Sequence, residues 1–136
     1  MNTPSTRTNK PSIFSLLVFL FEVTICAITG VTALILAWRP EAGTPGVATM
    51  GHGILGGLLL IGCALLYFKP KLGSAILVVT VLSIPVMAAL AGGFPAWDAA
   101  STASRVWMIV GVIISAGILA APWLEDRGGS NDRSVE

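Results

Sequence analysis

Residues 13–38 read IFSLLVFLFEVTICAITGVTALILAW, an apolar run that only one ionisable side chain, Glu22, interrupts. A helix needs roughly 20 mainly apolar residues to cross about 30 Å of hydrocarbon. This run is long enough to do so, and it is much longer than the apolar core of a cleaved signal peptide. It therefore predicts a retained membrane-spanning helix.

Three further stretches, at about 48–68, 72–93 and 106–124, have the same apolar character. Every backbone polar group in lipid needs a partner within the protein, and a helix supplies one. None of the four runs alternates polar and apolar residues as a barrel strand does. The short 69–71 turn makes the second and third spans antiparallel neighbours. The sequence thus predicts an all-α, up-down-up-down four-helix membrane bundle over residues 13–124.

The composition indicates that little of the chain is exposed to water. Of 136 residues, 54% are hydrophobic and 11% are charged, whereas a soluble domain carries about 25% charged residues. The polar ends, 1–12 and 125–136, are expected to be disordered and cytoplasmic. The net charge of +1 offers no basic surface for nucleic acid. Cys26 and Cys63 lie in apolar runs without disulfide or zinc spacing, so we expect free thiols, no metal and no cofactor.

Six of the eight Lys and Arg residues fall on the side that holds both termini and the 69–71 turn. The other side has only Arg39 and Arg105. Because positive charge collects on the cytoplasmic side of a membrane, this bias predicts that both termini are cytoplasmic. Tryptophans that would mark the outer interface agree with it: Trp38, Trp97 and Trp107.

Glu22 is the candidate functional residue inside the membrane, because an ionisable side chain in a span is a functional hypothesis by default. Cys26, Thr29, Gly30 and Ala33 follow on the same helical face, and such a small-residue stripe is expected to point inward. Two interpretations stay open. Glu22 serves a structural hydrogen bond or reaches the headgroups, or it handles protons for transport.

Two other helices carry candidate packing or partner faces. Gly53 and Gly57 form a GxxxG pair in the second span, and Gly111 and Ser115 lie in the fourth. Small residues let membrane helices approach closely, so a larger side chain at Gly57 is expected to overfill a contact inside the bundle or with a partner.

The third span contains Pro85 at its centre. Proline cannot donate to the Val81 carbonyl, and it is expected to kink the helix. The hydroxyls of Thr80 and Ser83 are candidates to satisfy the carbonyls that this kink frees.

His52 is the sole histidine, at the outer end of the second span, where it is expected to hydrogen-bond to water or headgroups. Glu41 and Asp98 fall on the same side, but the three residues lack metal-ligand spacing. No catalytic triad, Cys–His pair or carboxylate pair can be assembled from so few polar residues. We therefore expect a protein that is not an enzyme.

Three segments carry a resemblance to a known group of proteins. They are FEVTICAITG at 21–30, GHGILGGLLLIGCALLYFKPKLGSAIL at 51–77 and RVWMIVGVIISAGIL at 105–119. With them the chain resembles the small four-helix bacterial membrane proteins of the broad DoxX-like type, many of them uncharacterised. The resemblance implies a multi-pass protein of the bacterial inner (plasma) membrane with little defined chemistry.

Two functions remain as hypotheses. The first is an accessory or scaffold subunit of a larger membrane complex, respiratory or transport, whose partners are the lipid bilayer and other membrane-protein subunits or further copies of the chain. It follows from the Gly-rich faces and minimal loops. The second is a small proton-coupled transporter that acts as a homo-oligomer through Glu22.

The charge bias predicts a membrane topology that cysteine labelling can test. A cysteine placed at Gly43 or Ala99 is expected to react with a membrane-impermeant maleimide added to intact cells, and one at Ser130 is expected to be protected. Labelling at 130 but not at 43 would show that the orientation is inverted.

Overall fold

The computed structural model of the chain describes residues 12–40, 42–91 and 94–128. In chain order the helices are α1 (Ile13–Trp38), α2 (Gly46–Phe68), α3 (Pro70–Ala91), α4 (Pro95–Asp98), α5 (Thr102–Leu119) and α6 (Ala121–Gly128). The described residues thus form an all-α structure.

Four of these helices, α1, α2, α3 and α5, are long and apolar enough to cross a membrane. They pack in sequence: α1 on α2, α2 on α3 and α3 on α5, with a smaller contact between α1 and α5 that closes the ring. This arrangement confirms the predicted up-down four-helix bundle of a multi-pass membrane protein, whose outer surface contacts lipid. The predicted ends at 1–11 and 129–136 lie outside the described residues.

Several helix ends differ from the predicted ones by a few residues. α2 begins at Gly46, directly after Pro45. α3 begins at Pro70, because a proline is well suited to the first position of a helix, where its missing N–H is not needed. The Ser101 hydroxyl accepts a hydrogen bond from the Ser104 amide at 3.3 Å and caps α5. The short helix α4 lies in a segment that the sequence predicts to be a loop.

The fourth span ends at Leu119 and not near 124 as predicted. The amide of Trp123 donates to the carbonyl of Ala120 at 2.9 Å, so the Leu119 carbonyl loses the donor that a continuing helix would supply. The buried hydroxyl of Ser74 donates to this carbonyl instead and joins α3 to the end of α5. A separate helix, α6, then continues to Gly128 and covers the first four residues of the predicted tail.

The backbones of α1 and α2 touch at a pair of glycines. A Cβ atom added to Gly56 would lie 2.7 Å from the carbonyl oxygen of Gly30, and one added to Gly30 would lie 3.2 Å from the carbonyl oxygen of Gly56. Only glycine permits such an approach, which is the usual reason for small residues in membrane helix contacts. Along the same contact the Cys63 thiol donates to the Val23 carbonyl at 3.7 Å.

α2 and α3 approach equally closely beside the turn that joins them. A Cβ at Gly73 would lie 2.5 Å from the amide nitrogen of Leu66, and one at Gly62 would lie 2.8 Å from the side chain of Leu77. Leu77 is fully buried and belongs to the core, together with Cys26, Leu59, Val81 and Leu119. The glycines at these two contacts therefore bring three helices around one apolar centre.

Two of the predicted packing residues do not take part in these contacts. A Cβ at Gly57 or at Gly111 would meet no atom within 4 Å, so neither glycine packs against another described helix of the bundle, and their use by a partner helix stays a prediction. Gly56, the neighbour of Gly57 in the sequence, makes the close contact with α1 instead. Gly53 does face α1, with its added Cβ at 3.6 Å from that of Ala37.

Adjacent glycines offer a matched pair of substitutions. Gly56→Ala is expected to destabilise the isolated chain by about 1–3 kcal/mol, because its methyl group would overlap the Gly30 carbonyl. Gly57→Ala is expected to cause no loss, because its methyl group enters open space. Unfolding in mixed detergent, followed by circular dichroism, measures both. Equal stability of the two variants would contradict the observed α1–α2 contact.

Candidate functional site

The α1–α2 contact fixes the depth of the polar side chains in the bundle. We call the end near Lys69 the turn side and the end near Trp38 the loop side. Gly30 lies opposite Gly56, and Val23 opposite Cys63, so the two helices run antiparallel in a known register. With 1.5 Å per residue, Glu22 lies roughly 10 to 14 Å from the level of the middle of α2, on the turn side.

Glu22 lines a small cavity inside the bundle. The cavity has a volume of about 140 Å³, and the Glu22 side chain is half-buried beside it. Three other polar or thiol side chains share the lining: Cys26, Thr29 and Ser115. Half the hydrocarbon thickness is about 15 Å, so the carboxyl group belongs to the turn-side end of the span and not to its middle.

The stripe that follows Glu22 points inward in large part, as predicted. Cys26 is 4% exposed and Gly30 is buried, whereas Ala33 is half-buried and Thr29 is exposed at the edge of the cavity. The stripe meets Leu59 of α2, Ile84 of α3 and Ser115 of α5, all of which line the cavities of the interior.

His52 does not lie at the membrane interface, and the prediction of a water-bonded or headgroup-bonded histidine is wrong. Its side chain is only 6% exposed. It is five residues from Gly57, the middle residue of α2, and so about 7.5 Å from the middle of that span. Its ring packs against Phe94, with 4.4 Å between ring centroids and 37° between the planes. The sequence held a signal of this burial, because His52 falls within the apolar run that forms α2.

The segment before α5 holds Phe94 over His52. The Phe94 carbonyl accepts hydrogen bonds from the amides of Trp97 and Asp98, both at 2.9 Å, and so starts α4. The Arg105 guanidinium ties this short helix to α5. Its Nε donates to the Trp97 carbonyl at 3.2 Å and its Nη2 to the Asp98 carbonyl at 3.4 Å, and it also lies 5.6 Å from the Trp97 ring centroid.

Beneath Phe94 lies a second and larger cavity, with a volume of about 280 Å³. His52 and Phe94 line it on the loop side, and Thr32 and Leu36 of α1 line one wall. It shares Thr29, Leu59 and Ile84 with the Glu22 cavity. We call the two together the interior crevice. Glu22 lies towards its turn-side end and His52 towards its loop-side end, about 20 Å apart along the helix axes.

Pro85 lies within α3, and the helix continues through it from Pro70 to Ala91. The Thr80 hydroxyl donates to the Ile76 carbonyl at 2.6 Å, and the Ser83 hydroxyl donates to the Thr80 carbonyl at 2.7 Å. Neither hydroxyl serves the Val81 carbonyl that the proline frees, so the predicted compensation is wrong. The kink at Pro85 stays a prediction.

Other features add no chemistry to the crevice. Among residues 12–40, 42–91 and 94–128, no three His, Cys, Asp or Glu side chains lie close enough together to hold a metal ion. Glu41, a residue of the polar set considered with His52, lies outside these ranges, and Asp98 is exposed. A hollow of about 430 Å³ lies between Val31 and Arg39, and the described residues that line it all belong to α1 or directly follow it.

Comparison with protein-family models, with curated proteins and with solved structures finds no match to this chain. The resemblance to DoxX-like membrane proteins therefore stays an interpretation of the three quoted segments. The structure by itself defines the class, a small multi-pass membrane protein with four candidate spans.

Proposed function

We propose that the chain is an accessory or scaffold subunit that packs between other membrane proteins. The observation that carries this proposal is the open space beside Gly57 of α2 and beside Gly111 and Gly117 of α5, where an added Cβ would meet no atom within 4 Å. Glycine costs about 1 kcal/mol relative to alanine in a helix interior, and the bundle's own packing does not need it at these positions. A helix of a neighbouring subunit would use them for close approach.

The positions of these glycines favour a scaffold over a simple dimer. α2 and α5 are the diagonal pair of the bundle, since each packs on α3 and on α1. The open glycines of the two helices therefore lie on opposite sides. A twofold dimer joins the same surface patch of both copies and would cover only one of these sides. Helices of two different neighbours would cover both.

The proposal predicts site-specific contacts in native membranes. A photoreactive phenylalanine analogue is placed beside the glycines, at Ile61 one turn after Gly57 or at Ile114 three residues after Gly111, both of which are exposed. It is expected to give a discrete adduct heavier than the 14.1 kDa chain and different from its dimer. The matched control position is Val79, an exposed apolar residue of α3, which is expected to give lipid adducts only.

A second variant separates partner binding from folding. Gly57→Leu, combined with the photoreactive residue at position 61, is expected to remove the adduct formed at 61, because the leucine overfills the contact with a neighbour. The isolated Gly57→Leu chain is expected to unfold like the parent, because the leucine enters open space there. Adducts that contain only further copies of this chain, or an unchanged adduct in Gly57→Leu, would overturn the scaffold proposal.

A second candidate function, a small proton-coupled transporter acting as a homo-oligomer, is favoured by a different observation. The half-buried Glu22 lines a cavity that shares Thr29, Leu59 and Ile84 with the larger one below Phe94. A carboxyl group in a span is a plausible proton carrier when it faces a cavity. The crevice supplies a cavity that the Glu22 carboxyl group could face.

Proton flux into liposomes tests this candidate. The purified chain is reconstituted, a potassium diffusion potential is imposed, and a trapped pH dye records the flux. A proton carrier is expected to conduct above protein-free vesicles, to lose at least about tenfold of that flux in Glu22→Gln, which cannot take up a proton, and to keep part of it in Glu22→Asp. Flux that is equal in wild type and Glu22→Gln would remove Glu22 from any transport mechanism.

A further inference from the structure

His52 leaves one hydrogen-bonding atom unsatisfied in the interior of the bundle. Its Nδ1 atom is buried and makes no hydrogen bond to any part of the chain that the structure describes. A buried polar group without a partner destabilises the folded chain. Lipid tails cannot hydrogen-bond to it, so a bound molecule that did would stabilise the chain.

The His52 side chain lines the larger cavity of the interior crevice, although Nδ1 itself is covered. The volume of this cavity is about 280 Å³, just below the range of about 300–1,000 Å³ in which proteins commonly bind small molecules. The walls are almost entirely apolar, with Leu36, Leu55 and Ile84 among them and the Phe94 ring at one end. The hydroxyl of Thr32, also in the lining, already donates to the Ile28 carbonyl at 2.9 Å.

These features define the chemistry of an occupant. Apolar walls require an apolar body, and the described residues of the lining include no Lys, Arg, Asp or Glu side chain to pair with a charge. Neutral imidazole presents either a donor or an acceptor at Nδ1. A hydroxyl group can satisfy both states, and a carbonyl group can satisfy the donor state. The volume limits the occupant to a molecule smaller than most drugs.

We propose that the crevice below Phe94 binds a small, uncharged, lipid-soluble alcohol or ketone, and that the His52 ring turns about its Cβ–Cγ bond so that Nδ1 hydrogen-bonds to the ligand oxygen. The ligand would enter from the bilayer, because Ile28 and Thr32 of the lining are exposed on the outside of the bundle. This site is independent of the open glycine positions and of Glu22. It can be tested on the isolated chain, and its failure would leave the scaffold proposal unaffected.

The single histidine makes the site directly observable. We suggest labelling the chain with ¹⁵N-histidine, so that its only imidazole gives the only ring-nitrogen signals, and reconstituting it in lipid nanodiscs. The probes are 9-fluorenol and fluorene, which share one ring system and differ by a hydroxyl group. Both are dosed by mole fraction in the lipid, which removes differences in partitioning.

In the wild-type chain 9-fluorenol is expected to shift the imidazole nitrogen signals and to bind about three- to tenfold tighter than fluorene, the usual range for one net hydrogen bond. Equal binding of the two probes, or binding of 9-fluorenol without a change at the imidazole nitrogens, would overturn the proposal.

Two variants complete the test through ligand fluorescence. His52→Phe keeps an aromatic ring beside Phe94 but has no ring nitrogen. The ratio of its affinities for 9-fluorenol and fluorene is therefore expected to fall to about one. Ala33→Phe, in the opposite wall, is expected to fill the cavity and weaken both probes at least about tenfold while His52 stays in place. A preference that persists in His52→Phe, or binding that Ala33→Phe leaves unchanged, would place the probes elsewhere and refute the site. If His52→Phe does not fold, Ala33→Phe and the nitrogen signals decide.

Discussion

The backbones of α1 and α2 come into contact at Gly30 and Gly56, and the positions of the polar side chains in the bundle follow from that contact. Lipid supplies no hydrophobic force to hold two helices together, so van der Waals contact between them must be close. With a Cβ at Gly56 only 2.7 Å from the Gly30 carbonyl, no larger residue fits without moving a backbone. Because the register is held there, Glu22 belongs to the turn-side end of the crevice and His52 to the loop-side half.

The second close contact, between Gly62 and Gly73 at the α2–α3 turn, works with the first to leave space elsewhere. Helices α1, α2 and α3 are drawn together on one side, while α5 is held mainly by α3 and by the Ser74 hydroxyl at the end of α5. The contact between α5 and α1 is correspondingly small. The Glu22 cavity of the interior crevice lies along this less extensive side of the ring, where side chains of α1, α3 and α5 meet without filling the volume between them.

Much of this architecture could be predicted from the sequence, because the bilayer restricts the options. Four apolar runs and short connections leave little except an up-down helical bundle. The glycine contacts were harder to predict from the sequence, because Gly56 and Gly57 are adjacent. The GxxxG pattern that begins at Gly53 contains Gly57 and not Gly56. A rotation of about 100° per residue turns one glycine to α1 and the other to open space, and this rotation depends on packing with three other helices. The break after Leu119 has a local signal, because Pro122 has no N–H to donate to the Ile118 carbonyl. The Ser74 hydroxyl that bonds to the Leu119 carbonyl is distant in the sequence.

The sequence predicts the surroundings of Glu22 better than those of His52, and the reason is physical. Glu22 is conspicuous because a carboxylate in an apolar run has a high insertion cost, and the structure does place it beside a cavity. His52 stands near the start of an apolar run, where exposure at the interface is the simplest expectation. Its burial depends on Phe94, and Phe94 is held by Arg105, which ties α4 to α5 through the Trp97 and Asp98 carbonyls. A residue of α5 thus decides the surroundings of a residue of α2, through a short helix that no periodicity in the sequence indicates. The unsatisfied Nδ1 of His52 is a consequence of tertiary structure, and it becomes visible only when the loop-side segment is seen to cover it.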